Sequence, residues 1–185
     1  EERVIAFHSK PHPEGRYYRN LVNAGVYVLC PRIFDFLPAG EKKDFGRDIF
    51  PRIYSEVRMY GYNTPEYLKD MGTPQRWRKV ERDLAEGRVA ARNLGRPQTA
   101  VFLDRDGTLN EDRGLVAKPE DLVLFDFTAP ALARLNRSVY LTIVTTNQPV
   151  VARNLCSIEE LGYIHKKMET EIGLAGAKFD AIYYC

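Results

Sequence analysis

The second half of the chain alternates between short apolar runs and amphipathic stretches, and this order constrains the fold more than any other feature. The apolar runs, typical of strands, fall at residues 99–103, 139–145 and 181–184, and the helical patterns at 130–136 and 157–173. Ser157 and Glu160 form a capping box before the longer helix. Its predicted buried stripe is Ile158, Leu161, Ile164, Met168 and Ile172. This alternation predicts an α/β fold with parallel strand pairing, whose site lies at the carboxyl ends of the strands.

Two carboxylates follow the first of these strands directly. Alternation along the extended chain predicts Asp104 and Asp106 on one side, while Gly107 lets the chain turn away. Two like charges this close are costly unless a cation or a shared proton offsets them. Mg²⁺ suits such oxygen ligands and brings phosphate with it, so that one carboxylate attacks phosphorus while the other handles the proton. The alternative is a solvated turn rich in Asp and Gly.

The end of the second strand supplies groups of a different kind. Thr146-Asn147-Gln148 offers a hydroxyl and two amides in the place where a phosphate would lie between the strand tips. An ordinary capped strand end would explain these residues if they stood alone. The two strand ends together therefore predict phosphoryl chemistry.

Three segments cover most of residues 99–185: FLDRDGTLNEDRGLV, TTNQPVVAR and IHKKMETEIGLAGAKFDAIYYC. They resemble the haloacid dehalogenase superfamily, and within it the branch of histidinol-phosphate and heptose-bisphosphate phosphatases. The resemblance implies a Rossmann-like parallel sheet of the dehalogenase type. It also implies that Asp104 is the nucleophile and Asp106 the general acid/base, and that both serve Mg²⁺, the second through its backbone carbonyl.

Further site residues are implied by the same resemblance. Thr146 and Asn147 would hold the transferring phosphoryl group with Gln148 beside it. The remaining substrate or phosphate contacts would come from Asp112, Arg113, Gly114, Leu115 and Arg153. Cys185 would be one ligand of a structural Zn²⁺ whose other ligands are absent from this sequence. The chain departs from the family at Pro149-Val150, where Ser-Gly is commoner, and at Asn154, where Gly is usual.

The first half has its own pattern of elements. Residues 24–29 read as a buried strand, 48–55 as a short helix broken early by Pro51, and 74–86 as a helix capped by Thr73 and closed by Gly87. Taken alone, these are ordinary parts of some α/β domain.

Four motifs follow one another in this half: the Lys10-Pro11 pair, NAGVYV from residue 23, DIFP from residue 48 and YLKDMGTP from residue 67. In this order they resemble the second part of sugar-1-phosphate nucleotidyltransferases. The resemblance implies a partial α/β nucleotidyltransferase domain in which Lys10 and Asn23 contact the sugar phosphate and Asp70 binds Mg²⁺. It also implies a nucleoside triphosphate, GTP, as the partner of the full-length protein. The family's Gly-rich loop does not occur in this sequence, so we expect this half to be inactive as it stands.

A basic segment rich in Arg and Gly separates the halves. We therefore expect a nucleotidyltransferase part at 1–87, a linker at 88–98 and a phosphatase part at 99–185, the whole being an excerpt of a longer bifunctional enzyme. Residues 1–97 hold 18 basic and 13 acidic side chains, and the rest hold 9 and 12, so the net charge of +2 hides two oppositely charged pieces. No nucleic-acid motif accompanies the basic piece, and no apolar run is long enough for a membrane span.

The three cysteines fit a reducing cytoplasm better than a disulfide framework. Cys30 and Cys156 are predicted to be small buried or half-buried apolar residues, and His165 to lie on the polar face of its helix.

The function expected from this sequence is Mg²⁺-dependent removal of the 7-phosphate from D-glycero-D-manno-heptose 1,7-bisphosphate. A nucleotidyltransferase then loads the sugar 1-phosphate that results. Two alternatives stay open. One is a histidinol-phosphate phosphatase, which shares the motifs, and the other is a regulatory module without catalysis.

Overall fold

The computed structural model describes residues 2–8 and 12–185. The chain divides into two compact units, one built from Glu1–Arg16 and Leu21–Thr64 and the other from Tyr17–Asn20 and Pro65–Cys185. The predicted boundary at residues 88–98 stays a prediction. Within the described residues, no helix combines the length and the apolar character that a membrane span requires.

The first unit is held by a small aromatic and aliphatic core. It contains β1 (Glu2–Arg3), α1 (Phe50–Ile53) and β2 (Tyr60–Gly61), with a 3₁₀ helix at Pro31–Phe36 and a π-helical turn at Phe45–Ile49. β1 and β2 pair antiparallel. Ile49, Phe50 and Ile53 are buried, so this core comes from the π turn and the helix that follows it.

Two predictions for this unit are wrong. Residues 24–29 form no strand, and Val26 and Val28 are exposed. A strand needs a neighbouring strand for its backbone hydrogen bonds. Among the described residues of this unit, the only strand pairing joins β1 to β2. Gly25, at φ +74°, also interrupts the extended backbone. Pro51 does not break a helix, because it lies in the first turn of α1, where a missing N–H costs nothing.

The second unit opens with two helices. The prediction for α2 (Pro74–Ala85) is confirmed: Thr73 accepts a hydrogen bond from the Arg76 N–H, and Gly87 follows the helix at φ +76°. Residues of the expected linker form α3 (Arg88–Ala91), and Arg92 directly after it is buried.

A parallel three-stranded sheet confirms the predicted α/β fold. Its strands are β3 (Ala100–Leu103), β4 (Leu141–Thr146) and β5 (Ala181–Tyr184), with β4 in the centre. Between them lie α4 (Thr128–Leu135) and α5 (Ile158–Leu174), preceded by a 3₁₀ turn at Pro119–Asp121. The strand and helix limits lie within two residues of the predicted ones.

The main core lies between the sheet and its helices. The capping box at the start of α5 forms as predicted, with the Glu160 N–H donating to Ser157 Oγ and the Ser157 N–H donating to Glu160 Oε2. Leu161, Ile164, Met168 and Ile172 are fully buried, as the stripe predicted, but Ile158 is exposed because it lies in the first turn, at the edge of the packed face.

Two predictions for single residues need correction. His165 is buried rather than on a polar face, because it packs beside Arg105 and its ring lies 5.2 Å from that of Tyr184. Cys156 is buried as expected, in a small cluster with Val150 and Leu161, whereas Cys30 is exposed.

Candidate active site

The loop after β3 turns sharply just beyond the two predicted carboxylates. Gly107 adopts φ +76° and its N–H donates to the Asn110 carbonyl at 2.8 Å. Asp104 is exposed, and one of its carboxylate oxygens accepts the Arg105 N–H at 2.7 Å. Asp106 is half-buried. The two side chains therefore lie in different environments, which suits two different chemical roles.

The Asp106 carboxylate accepts four hydrogen bonds. Arg105 Nε and Asn110 Nδ2 donate to Oδ1 at 3.1 and 3.0 Å, while Arg105 Nη2 and Gln148 Nε2 donate to Oδ2 at 2.9 and 2.7 Å. Burial raises the pKa of this carboxyl, but these hydrogen bonds and the Arg105 charge together hold the pKa below its ordinary value. Asp106 is therefore an ionised and firmly held group.

Arg105, which the sequence reasoning missed, is the cation beside this carboxylate. Its side chain is fully buried, and besides its two bonds to Asp106 it donates from Nη2 to Gln148 Oε1 at 2.7 Å. The alternation that predicts the two Asp side chains on one side places Arg105 on the other, toward the interior, so the sequence did contain a signal for it. A buried guanidinium needs such partners because it stays charged.

His165 closes the network on its far side. Its Nε2 lies 3.4 Å from Arg105 Nη1, and because a guanidinium has no acceptor, Nε2 must be the unprotonated nitrogen. Burial, reinforced by the Arg105 charge, lowers the pKa of His165 to about 4. The imidazole is therefore neutral near pH 7.

The end of β4 brings Thr146 and Gln148 to the same place. Gln148 is buried, and its Nε2 donates both to Asp106 and, at 2.8 Å, to Thr146 Oγ1. Asn147 is exposed, and its Oδ1 accepts a bond from Cys185 Sγ at 3.3 Å. The structure thus joins the ends of β3 and β4 as expected, but the Gln148 amide is taken up by protein partners at both of its ends.

The predicted substrate loop lies on the surface. Asp112 Oδ1 accepts the N–H of Gly114 at 3.1 Å, Arg113 pairs with Glu111, and Leu115 is exposed. Arg153 is exposed as well.

The two departures from the family pattern each have a structural account. Val150 is buried against Cys156 and Leu161, so it fills a small apolar cluster. Asn154 adopts φ +57°, a conformation that asparagine tolerates better than other residues with a Cβ, and this explains why it can stand where glycine is usual.

Two of the three residues predicted for nucleotidyl transfer fall within the described residues. Lys10 lies outside the described residues. Asn23 is exposed and its Oδ1 accepts the Gly25 N–H at 2.9 Å and the Tyr27 hydroxyl at 3.0 Å. Asp70 accepts the Gly72 N–H at 2.8 Å and pairs with Arg76, which competes with a metal ion for this carboxylate.

The oxygen donors at the end of β3 suit Mg²⁺ in part. Magnesium keeps several waters and takes one or two protein carboxylates plus substrate phosphate. The Asp104 carboxylate is exposed and could serve as one such ligand, whereas the metal role of the Asp106 carbonyl stays a prediction. Across residues 2–8 and 12–185, no three His, Cys, Asp or Glu side chains group as a metal site, so the Zn²⁺ role of Cys185 stays a prediction.

Comparisons with known proteins match this chain to one family model and to several relatives. Residues 1–87 match the family model described as Nucleotidyl transferase. The chain is 39% identical over 90 residues to the D-glycero-D-manno-heptose-1,7-bisphosphate 7-phosphatase of Thermosynechococcus vestitus, which covers 48% of this chain and 46% of that protein. It is 40% identical over 86 residues to the D-glycero-beta-D-manno-heptose-1,7-bisphosphate 7-phosphatase of Vibrio cholerae, with 46% of each covered.

Among solved structures, the D,D-heptose 1,7-bisphosphate phosphatase of B. bronchiseptica, in complex with magnesium and phosphate, is similar. The identity is 32% and the TM-score 0.46, over 48% of this chain and 50% of that one. The chain spans just under half the length of the curated relatives that it matches.

Proposed function

We propose that this chain carries the phosphoryl-transfer centre of a Mg²⁺-dependent phosphatase of the haloacid dehalogenase type. The proposed substrate is D-glycero-D-manno-heptose 1,7-bisphosphate, and the 7-phosphate is removed. The observation that carries the proposal is the contrast between the exposed Asp104 and the clamped, ionised Asp106 at one strand end, beside Thr146 at the next. The substrate is proposed from the relatives' names.

The two carboxylates divide the work. An Asp104 oxygen attacks phosphorus, an O–P bond forms, and the bond from phosphorus to the sugar oxygen breaks. Asp106 gives that oxygen its proton and then takes one from the water that attacks the aspartyl-phosphate, which releases inorganic phosphate and restores Asp104. Asp106 is ionised in the free protein, so it takes up a proton from solvent as the negative charge of the arriving phosphate raises its pKa. Once it has given that proton to the leaving oxygen, it is again the carboxylate that accepts a proton from water.

Other residues bind and orient the phosphoryl group. In this proposal the Thr146 hydroxyl, at the end of β4, and the exposed Asn147 amide donate to phosphoryl oxygens. Mg²⁺, held by the Asp104 carboxylate and the Asp106 carbonyl, would neutralise charge that builds up on the phosphate.

The nucleotidyl transferase match at residues 1–87 extends the proposal to a second activity. In this proposal the sugar 1-phosphate left by the phosphatase is the substrate of nucleotidyl transfer from GTP, with Lys10, Asn23 and Asp70 in the roles implied by resemblance. Pyrophosphate release from GTP and the sugar 1-phosphate tests this part on the complete protein.

The phosphatase is tested by measuring phosphate release from heptose 1,7-bisphosphate and from histidinol phosphate, with and without Mg²⁺, on the complete protein. We expect Asp104→Asn to lower kcat by at least about 1,000-fold, since removing a nucleophile that forms a covalent intermediate has effects of this size. Asp126→Asn, a change at an exposed carboxylate beyond the site, is the matched control and should keep full activity. Full activity of Asp104→Asn would refute the mechanism, and faster turnover of histidinol phosphate would refute the substrate.

A further inference from the structure

We propose that Arg105 is a positioning residue for catalysis, which holds the Asp106 carboxylate in one orientation together with Gln148. The inference rests on the proposed phosphatase function, in which Asp106 exchanges protons with the leaving group and with water. It assigns a task to the residue between the two aspartates, which motif comparison leaves open.

The first argument is the geometry of the contact. Arg105 binds both oxygens of its neighbour, with Nε on Oδ1 at 3.1 Å and Nη2 on Oδ2 at 2.9 Å. A bidentate contact between two planar groups restricts rotation of the carboxylate as a single hydrogen bond does not. A proton-transfer group has to be held within a few tenths of an ångström of its working position, which such a contact provides.

The second argument is that Arg105 is itself fixed. Its side chain has no exposed surface, and the same Nη2 that binds Asp106 also donates to Gln148 Oε1 at 2.7 Å. Gln148 returns to Asp106 through Nε2 at 2.7 Å, which closes a ring of three side chains from two strand ends. His165 faces the opposite side of the guanidinium. Movement of Asp106 therefore requires movement of buried groups.

The third argument concerns which oxygen is available. Oδ2 has the shorter pair of contacts, at 2.9 and 2.7 Å, and Oδ1 the longer pair, at 3.1 and 3.0 Å. Four donors occupy the lone pairs of the carboxylate, so one must give way before a proton is exchanged. Of the two contacts outside the two-point bond to Arg105, the one from Asn110 at 3.0 Å is longer than the one from Gln148 at 2.7 Å. The Asn110 contact therefore yields first, and Oδ1 carries the proton while Oδ2 stays anchored.

A buried ion pair can also serve stability alone, and the test has to separate the two roles. Arg92 provides the matched control because it is another buried arginine of the same unit, paired with Asp180 at 2.7 Å and not part of the site. Steady-state phosphatase kinetics of Arg105→Met, Arg105→Lys and Arg92→Met are compared in the complete protein, below the onset of unfolding of each variant. Arg105→Met is also combined with Asp106→Asn.

We expect Arg105→Met to lower kcat about 100-fold with KM changed less than about 3-fold, because a misplaced proton-transfer group affects the transition state more than binding. Arg105→Lys should fall between the wild type and the Met variant, since an ammonium cannot make the two-point contact. Arg92→Met should keep its kcat. In the Asp106→Asn background, Arg105→Met should lower kcat by no more than about 2-fold, because Arg105 acts on catalysis through the Asp106 carboxylate.

Equal losses of kcat from Arg105→Met in both backgrounds would overturn the inference, and so would a wild-type kcat in Arg105→Lys. The Lys variant decides the matter if the Met variant does not fold. Inactivity of the wild-type protein toward every phosphate ester would instead refute the proposed function, so the two failures are distinguishable.

Discussion

The buried pair of Arg92 and Asp180 gives the most direct test of how the second unit is held together. Arg92 lies just after α3, in the segment expected to be a linker, and Asp180 directly precedes β5. Their side chains are 9% and 2% exposed, and Nη1 lies 2.7 Å from Oδ1. The other guanidinium nitrogen, Nη2, donates to the Tyr140 carbonyl at 3.1 Å.

The magnitude follows from what remains after Arg92→Met. Breaking a buried pair by removing one partner typically costs about 3–5 kcal/mol, because the other charge stays buried. Here Asp180 keeps the Thr142 N–H and the Lys178 ammonium, each at 2.8 Å. Burial raises the pKa of Asp180, and these contacts together with the Arg92 charge bring it below its ordinary value. Because Asp180 keeps these partners, we expect Arg92→Met to lower the free energy of unfolding by an amount at the lower end of this range, about 3 kcal/mol.

The assay is urea unfolding of the complete protein, followed by circular dichroism, for Arg92→Met, Asp180→Asn and the double variant. We expect a coupling free energy of about 2 kcal/mol between the two sites. The exposed Arg96 is the matched control, and Arg96→Met should change the free energy of unfolding by less than about 0.5 kcal/mol. Equal effects of the Arg92 and Arg96 variants, or a coupling energy near zero, would refute the reasoning.

Three further measurements test other parts of the structure. The pKa of His165 falls from 6.5 to about 4 on folding, so between these values the unfolded chain binds a proton that the folded chain excludes. The free energy of unfolding should therefore decrease by about 3 kcal/mol in total as pH drops through this window. Unfolding titrations of the wild type and of His165→Gln at several pH values isolate the contribution of His165, and parallel pH curves would contradict it. Ser157→Ala removes the cap of α5 and should cost about 1 kcal/mol in the same assay, whereas no loss would mean that the box is unimportant. Ile164→Ala should cost about 2–5 kcal/mol, since this side chain is fully buried in the main core, and a loss below 1 kcal/mol would contradict its placement.

Helices and strands could be predicted from sequence where the segment has a local pattern, such as a cap or an apolar stripe, and also a neighbouring element to pack or pair with. The capping box and the apolar stripe define α5, Thr73 and Pro74 define the start of α2, and the three apolar runs pair with one another to form the sheet. Residues 24–29 have the same apolar composition as a strand, but in the first unit no ladder includes them. Composition reports the propensity of a segment and contains no information about its neighbour.

The motifs of the candidate site could be predicted from sequence, but the side-chain contacts that join them could not. Sequence reasoning predicted that Asp104, Asp106 and Thr146 lie at neighbouring strand ends, and the structure joins those ends through Gln148. It missed Arg105: alternation signals that this side chain points inward, but its burial as a charge depends on partners from distant points of the chain, here Gln148 and His165. It missed the burial of His165 for the same reason. The helical pattern places His165 near the edge of the apolar face of α5, and only the position of Arg105 shows that this edge is covered by other side chains.

The donors and acceptors around Gln148 fix the orientation of its amide, and this orientation determines how the Thr146 hydroxyl is bonded. A guanidinium can only donate, so Arg105 requires the oxygen end of the Gln148 amide, which turns the NH₂ end toward Asp106 and Thr146. Because Thr146 Oγ1 accepts this bond, the hydroxyl hydrogen is left to point at some other acceptor. Arg105, 43 residues before Gln148 in sequence, therefore sets the polarity of the hydroxyl at the tip of β4, and makes it ready for an incoming anion rather than for a cation.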